Sequence, residues 1–133
     1  RMVTPHEKFR NNSQFDNIPE FKRRCDDALW IHPRDAAERG IDDGAPVAVE
    51  SPEGLMYGSA RVTDAIVAGT VSCTQGRWFE RGEAGEASQR GGRQGDGKEG
   101  RGVNALTSSE PTLPSEGART HSIRVEVWRK DSV

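Results

Sequence analysis

Large apolar side chains are scarce in this sequence. Leu, Ile, Val and Phe together number 23 of its 133 residues. That is about 17%, inside the range where a chain struggles to bury a core. All hydrophobic types together reach 32%, against roughly 45–50% in ordinary globular domains. No apolar run approaches the ~18–20 residues of a membrane span, and the first residues hold no apolar segment of the kind that centres a secretory signal. Direct membrane insertion is therefore not expected. A surplus of charge is missing too. Nineteen basic and 21 acidic residues leave a net charge of −2, which removes self-repulsion as a cause of unfolding. It also speaks against a nucleic-acid binder, which is normally basic. Cysteine is limited to Cys25 and Cys73. Two distant thiols with no CxxC pair exclude a zinc ribbon or a disulfide framework. A single bridge, or two idle thiols, remains.

The apolar deficit has a local source. Residues 81–102 hold eight of the fifteen glycines and none of the 23 large apolar residues. Ordering costs roughly 1–2 kcal/mol per residue, and such a stretch offers little burial to offset it. The sequence thus predicts one domain over 1–133 with a flexible Gly-rich insert at 81–102. The opening Arg1-Met2-Val3-Thr4-Pro5 reads as the interior of a longer chain. Any targeting signal would then lie elsewhere, and the compartment is not legible here.

Along the chain, residues 4–17 are polar with no helical period, and 18–28 read as a charged surface connection. Leu29 to His32 reads as a short strand. Pro33 opens a helix at its tolerated first position, with Asp35 in the first turn and Gly40 as a left-handed stop. Ala45, Val47 and Val49 alternate with Pro46, Ala48 and Glu50, and Ser51-Pro52-Glu53-Gly54 carries turn chemistry. A returning strand is expected from Leu55 to Thr63, another from Thr70 to Thr74, and a last one through Ile123, Val125 and Val127. Val103 to Thr107 reads as ordered again, and Thr107 to Ala118 as loop. Five or six short strands with one or two short helices suggest a small barrel.

Several motifs carry no chemistry. Gly95 to Gly100 matches G-x-G-x-x-G, but neither a strand before it nor a helix after it is in sight. Asn11-Asn12-Ser13 matches a glycosylation acceptor without a secreted context. His6, His32 and His121 lack metal-ligand spacing, no serine sits in a nucleophile elbow, and no paired carboxylates stand out.

What remains is polar and clustered. His6 through Gln14 is one dense hydrogen-bonding stretch. Gln75-Gly76-Arg77-Trp78-Phe79 follows a strand directly, and Asn104 to Thr107 with Arg119 to Ser122 forms a third group. Loops held by a rigid barrel are where binding residues gather. Amides and hydroxyls suit a pterin or guanine edge. Arg10 or Lys8 suits a diphosphate, with charge-assisted bonds of roughly 1.5–3 kcal/mol each. The alternative is a set of polar solvated loops.

Three segments in order resemble a known family: Thr4-Pro5-His6 to Asn17, Trp30-Ile31-His32-Pro33-Arg34-Asp35 to Gly44, and Asn104-Ala105-Leu106-Thr107-Ser108-Ser109-Glu110-Pro111. With the tail Gly117 to Ser122 and its strand, they are similar to the C-terminal dinucleotide-binding domain of molybdopterin oxidoreductases, the dimethyl sulfoxide reductase family. The resemblance implies a mainly β double-psi β-barrel of the aspartate-decarboxylase-like kind. It implies a molybdopterin guanine dinucleotide, two of them per enzyme, holding molybdenum or tungsten, with the metal ligand and any iron-sulfur cysteines lying upstream. By position His6, Lys8, Arg10, Asn12, Ser13 and Gln14 would line one pterin. Gln75, Gly76 and Trp78 would meet the cofactor from a second loop, and Asn104, Thr107 and Ser122 from later positions. The chain would be a module of an oxidoreductase catalytic subunit, inert alone. Its partners would be the upstream domains and an iron-sulfur electron-transfer subunit. The opening motif leans toward sulfur- or arsenic-oxyanion reductases. The rival readings are a non-redox relative with the same cofactor and a non-enzymatic double-psi barrel that acts as a recognition module. Cys73 matches no metal ligand of the family, and the Gly-rich insert departs from its pattern.

Overall fold

A computed structural model describes residues 1–77, 98–100, 102–118 and 121–130, with the backbone alone at 98–100. The strands are β1 (Met2–Val3), β2 (Leu29–Ile31), β3 (Pro46–Ser51), β4 (Gly54–Val62), β5 (Val71–Ser72), β6 (Lys98–Gly100) and β7 (Glu126–Arg129). The helices are α1 (Pro19–Lys22), α2 (Pro33–Glu38) and a 3-10 turn, η1 (Val103–Leu106). The chain is mainly β with short helices, as expected.

The strands form one curled sheet in the order β1-β5-β2-β4-β3-β7. The nine-residue β4 is its longest member. One edge of β4 pairs antiparallel with β3 along its first six residues, Gly54 to Ser59. The other edge is shared by two parallel neighbours, β6 at Gly54 to Met56 and β2 at Ala60 to Val62. The two ends of the curl are tied by an antiparallel bridge between Met2 and Ile123, just ahead of β7. The interior holds Met2, Leu29, Ile31, Val47, Val49, Met56, Leu106, Ile123 and Val127. Ten of the 23 Leu, Ile, Val and Phe residues lie in this one core.

Local chemistry explains the recognisable elements. Proline starts α2, and the His32 ring caps it by accepting from the Arg34 N–H at 3.2 Å. Gly40 ends the helix at φ +60. Asp35 accepts from the Gly69 N–H at 2.5 Å, tethering the helix to the turn before β5. The hairpin turns through Pro52-Glu53, with Ser51 opposite Gly54.

Four features depart from or add to the sequence reading. Ala48, which alternates with the inward Val47 and Val49, is itself fully buried. Its direct cross-strand partners are Tyr57 and Trp128, and side chains directly opposite share a face, so two aromatics flank a methyl. The connection 18–28 contains α1. The last strand begins at Glu126, and Ile123, buried in the core, pairs only through an isolated bridge to Met2. Within the stretch expected to be a flexible insert, 98–100 form a strand and Gly102 is buried. The rest of that expectation, 81–97 and 101, lies outside the described residues. Both cysteines are free thiols. Among the described residues no helix is long and apolar enough to cross a membrane.

Candidate cofactor-binding site

The register of the sheet decides which loops meet. β1 and β5 are parallel neighbours, with Met2 opposite Val71 and Val3 opposite Ser72. The pairing runs past both strands. The Cys73 N–H donates to the Val3 carbonyl at 3.2 Å, and the Gln75 N–H to the Pro5 carbonyl at 3.0 Å. Parallel strands point the same way, so the segments after β1 and after β5 leave the sheet side by side. On the other edge of β1, the Met2 N–H donates to the Ile123 carbonyl at 2.8 Å. That antiparallel bridge brings His121 beside Thr4, with His121 Nδ1 3.5 Å from Thr4 Oγ1. The hairpin turn faces the same end, because β4 runs parallel to β2 and β2 antiparallel to β5. There the Ser51 hydroxyl donates to the Leu106 carbonyl at 3.0 Å and holds η1 in place.

The loop 6–15 is shaped by two left-handed residues, Asn12 at φ +53 and Phe15 at φ +72. Asparagine tolerates that region; phenylalanine is there at a cost of about 1–3 kcal/mol. The Gln14 N–H closes the turn by donating to the Asn11 carbonyl at 2.9 Å. Beneath it lies Arg10, only 4% exposed. Its two terminal nitrogens donate to the two oxygens of Asp27 at 3.0 and 3.1 Å, a bidentate fork. Nη2 also lies 2.7 Å from Asp16 Oδ1, and Nη1 donates to the Gln75 carbonyl at 3.4 Å. One buried guanidinium therefore joins the loop, the β2 approach and the β5 exit.

The candidates divide accordingly. His6, Lys8, Asn12, Ser13 and Gln14 are exposed on the loop, as are Asn104 and Ser122 on their segments. Gln75 Nε2 lies 3.0 Å from both ring nitrogens of His6, so the amide sits across the imidazole. Gly76, at φ +89, lies against the backbone of Asn12. Thr107 Oγ1 donates to the Asn104 carbonyl at 3.0 Å, fixing the end of η1. Trp78 lies outside the described residues. Arg10 is placed otherwise than the sequence suggested: its charge is matched by two carboxylates of the chain instead of standing open for a diphosphate.

Sequence reasoning missed those carboxylates. Asp26-Asp27 is a carboxylate pair, although none stood out, and it sits where a plain surface connection was expected. Asp26 Oδ2 accepts from Trp30 Nε1 at 2.9 Å and from Arg61 Nη1 at 2.6 Å. The Asp26 N–H donates to Glu7 at 3.2 Å, tying this turn to the loop. The Thr74 hydroxyl lies 3.1 Å from both the Asp26 carbonyl and Asp27 Oδ1 and donates to one at a time. Two acids placed directly before a buried strand were the available signal.

The electrostatics follow from burial and pairing. Burial opposes the charge on Arg10, but the bond to Asp27 and the charges of Asp27 and Asp16 outweigh it, so its pKa is raised. Burial likewise opposes ionisation of Asp27, and the bond to Arg10 with its charge overcomes it, holding that carboxyl below the usual range. Burial, then the Asp27 charge, pushes the Cys73 thiol up to about 12.

The exposed groups at this end are amides, hydroxyls, an imidazole and an ammonium. That donor set fits a heteroaromatic amide edge and a diphosphate. Among the described residues no group of three His, Cys, Asp or Glu could hold a metal ion.

Comparison with known proteins agrees with this picture. The probable dimethyl sulfoxide reductase chain YnfF of Escherichia coli is 33% identical over 122 residues, 92% of this chain and 14% of that protein. Dimethyl sulfoxide reductase DmsA of the same organism is 29% identical over 122 residues, with the same coverage. Trimethylamine-N-oxide reductase of Haemophilus influenzae is 37% identical over 82 residues, 59% of this chain and 10% of that protein. The chain thus spans 14% of the length of the first two relatives. Among solved structures, acetylene hydratase from Pelobacter acetylenicus matches with a TM-score of 0.73 at 16% identity, covering 97% of this chain and 18% of that one, a likeness of fold. The family model described as Molydopterin dinucleotide binding domain matches residues 1–123, and the chain belongs to that family.

Proposed function

We propose that this chain is the module that grips a molybdopterin guanine dinucleotide in the catalytic subunit of a molybdenum oxidoreductase. The observation that carries this is the convergence of the segments after β1, after β5 and before Ile123 on one end of the sheet, in a chain of this family. His6, Lys8, Asn12, Ser13 and Gln14 line the dinucleotide from the first loop. Gln75 and the bare backbone of Gly76 meet it from the second, and Asn104, Thr107 and Ser122 from the later segments. Trp78 belongs to the same set by its position in the sequence. When bound, the cofactor supplies two-electron chemistry at its metal. The residues named here bind its pterin edges and phosphates, orient it and keep water from them.

The names of the relatives favour organic S-oxides and N-oxides as substrates over arsenic oxyanions. The remaining domains of the subunit supply the metal ligand and the substrate pocket, and an iron-sulfur subunit supplies electrons. Molybdenum and tungsten by elemental mass spectrometry, with released GMP and pterin on the same full-length subunit, test the reading. Dimethyl sulfoxide reduction with a reduced viologen dye tests the substrate class. Metal with about two dinucleotides per chain is the expected result, following the family's implied stoichiometry and the cofactor's division of labour. A folded subunit from a cofactor-competent host with neither metal nor GMP overturns it.

A further inference from the structure

We infer that Arg10, with Asp16 and Asp27, is a positioning clamp for the cofactor loop and not a ligand of the cofactor. The inference rests on the reading above.

Three observations carry it. The guanidinium is buried beneath the loop, and both its terminal nitrogens are engaged within the chain, with a bidentate fork to Asp27 and a contact to Asp16, while Nε has no partner among the described residues. Its partners belong to three separate segments. Asp16 closes the loop itself, Asp27 precedes β2, and the Gln75 carbonyl follows β5. The loop between Arg10 and Asp16 is also strained, with Phe15 at φ +72 and 44% exposed. A bulky residue stays left-handed only where its surroundings over-determine the backbone. Two ends of this loop, residues 10 and 16, are pinned to each other by one ion pair. Between them stand Asn12, Ser13 and Gln14, whose side chains are exposed. The clamp fixes the backbone from below and leaves their polar groups pointing outward. Groups that orient the residues around a bound group, without touching it, typically matter 10–100-fold.

The two roles of Arg10 separate cleanly by experiment, because Asp27 touches Arg10 and lies below the loop. Full-length subunits carrying Arg10→Lys, Asp27→Asn and both changes are compared with the wild type. Lysine keeps the charge but cannot make the fork and the third contact together. Two readouts are taken. Hydrogen exchange of residues 11–17 is measured on cofactor-free subunit, and the rate of GMP-bearing cofactor loss on loaded subunit. A clamp predicts faster exchange of the loop in both single variants, while β3 and β4, which do not touch the clamp, keep their protection. It predicts cofactor loss about 10-fold faster in each. The double variant should be no worse than either single one, as expected for residues acting as one unit.

A direct phosphate ligand predicts the opposite for Asp27→Asn, since freeing the guanidinium would tighten retention or leave it alone. That result overturns the clamp. So does an unchanged loop exchange in the cofactor-free variants. If Arg10→Lys does not fold, Asp27→Asn alone decides by the same two readouts. A wild-type subunit without any dinucleotide overturns the functional reading and this inference with it. A loaded wild type whose variants are equally well loaded overturns the inference alone.

Discussion

A β-carbon on Gly76 would overlap the backbone carbonyl of Asn12. The two loops that rise from β1 and β5 are in contact through their main chains, and only glycine permits it. Gly76 also has φ +89, a region where a side chain costs about 1–3 kcal/mol. Gly76→Ala should therefore push the two loops apart. Hydrogen exchange in the full-length subunit should rise for residues 10–14 and 74–77 while the sheet stays protected. Unchanged protection in both loops would show that the approach is not a constraint.

Ser51 joins the hairpin turn to η1. Its hydroxyl donates to the Leu106 carbonyl at 3.0 Å and accepts from the Glu53 N–H at 3.1 Å. Ser51→Ala leaves a buried carbonyl without that donor, worth about 1–3 kcal/mol. The expected effect is faster native-state exchange at Ala105 and Thr107, whose amides close the η1 turn. Equal exchange in the two proteins would mean that η1 is held by its apolar contacts alone.

The Arg10–Asp27 pair makes a signed prediction in acid. The Asp27 carboxyl titrates below its ordinary value in the folded chain, because the bond to Arg10 and its charge outweigh burial. A carboxylate depressed in this way stabilises the fold fully above its unfolded value, about pH 4. The contribution disappears as pH falls through the lower folded value. Protection of residues 10–17, corrected for intrinsic exchange, should be flat from neutral pH down to about pH 4, the unfolded value, and fall from there toward the lower folded value. Asp27→Asn should lack the step; a step that persists in the variant assigns it to another group.

Cys73 should be inert. It is buried, and burial with the neighbouring Asp27 charge pushes its thiol up to about 12. At pH 8 the thiolate fraction is then on the order of 1 in 10,000, and the thiolate is the reacting form. Iodoacetamide should leave Cys73 unmodified in native subunit and modify it in denaturant, read by peptide mass spectrometry. Rapid native labelling would show an opening of the β5 edge.

What was legible in the sequence was what short-range chemistry determines. Pro33 and Gly40 bracket α2, and Pro52-Glu53 sits between two strands whose partners lie a few residues away. β1 was not legible, because two residues carry no period. Met2 and Val3 become a strand only through Val71, Ser72 and Ile123, far along the chain. The site divides the same way. The polar loop 6–14 was visible as composition. That Arg10 faces inward was not, since nothing local says whether Asp16 and Asp27 come within reach of it. Ala48 is a related case: alternation assigns a face, but the cross-strand neighbours decide whether that face is covered.

The bridge between Met2 and Ile123 also sets an order of assembly. The first polar loop is made more than a hundred residues before the segment carrying His121 and Ser122 that flanks it. Long-separated pairings of this kind form late, since the intervening chain must be gathered first. A nascent chain that stops short of Ile123 would carry the recognisable motif without its neighbours. The dinucleotide, on the proposed reading, would meet a complete grip only after the last strand is in place, so cofactor insertion belongs to the finished domain and not to its synthesis.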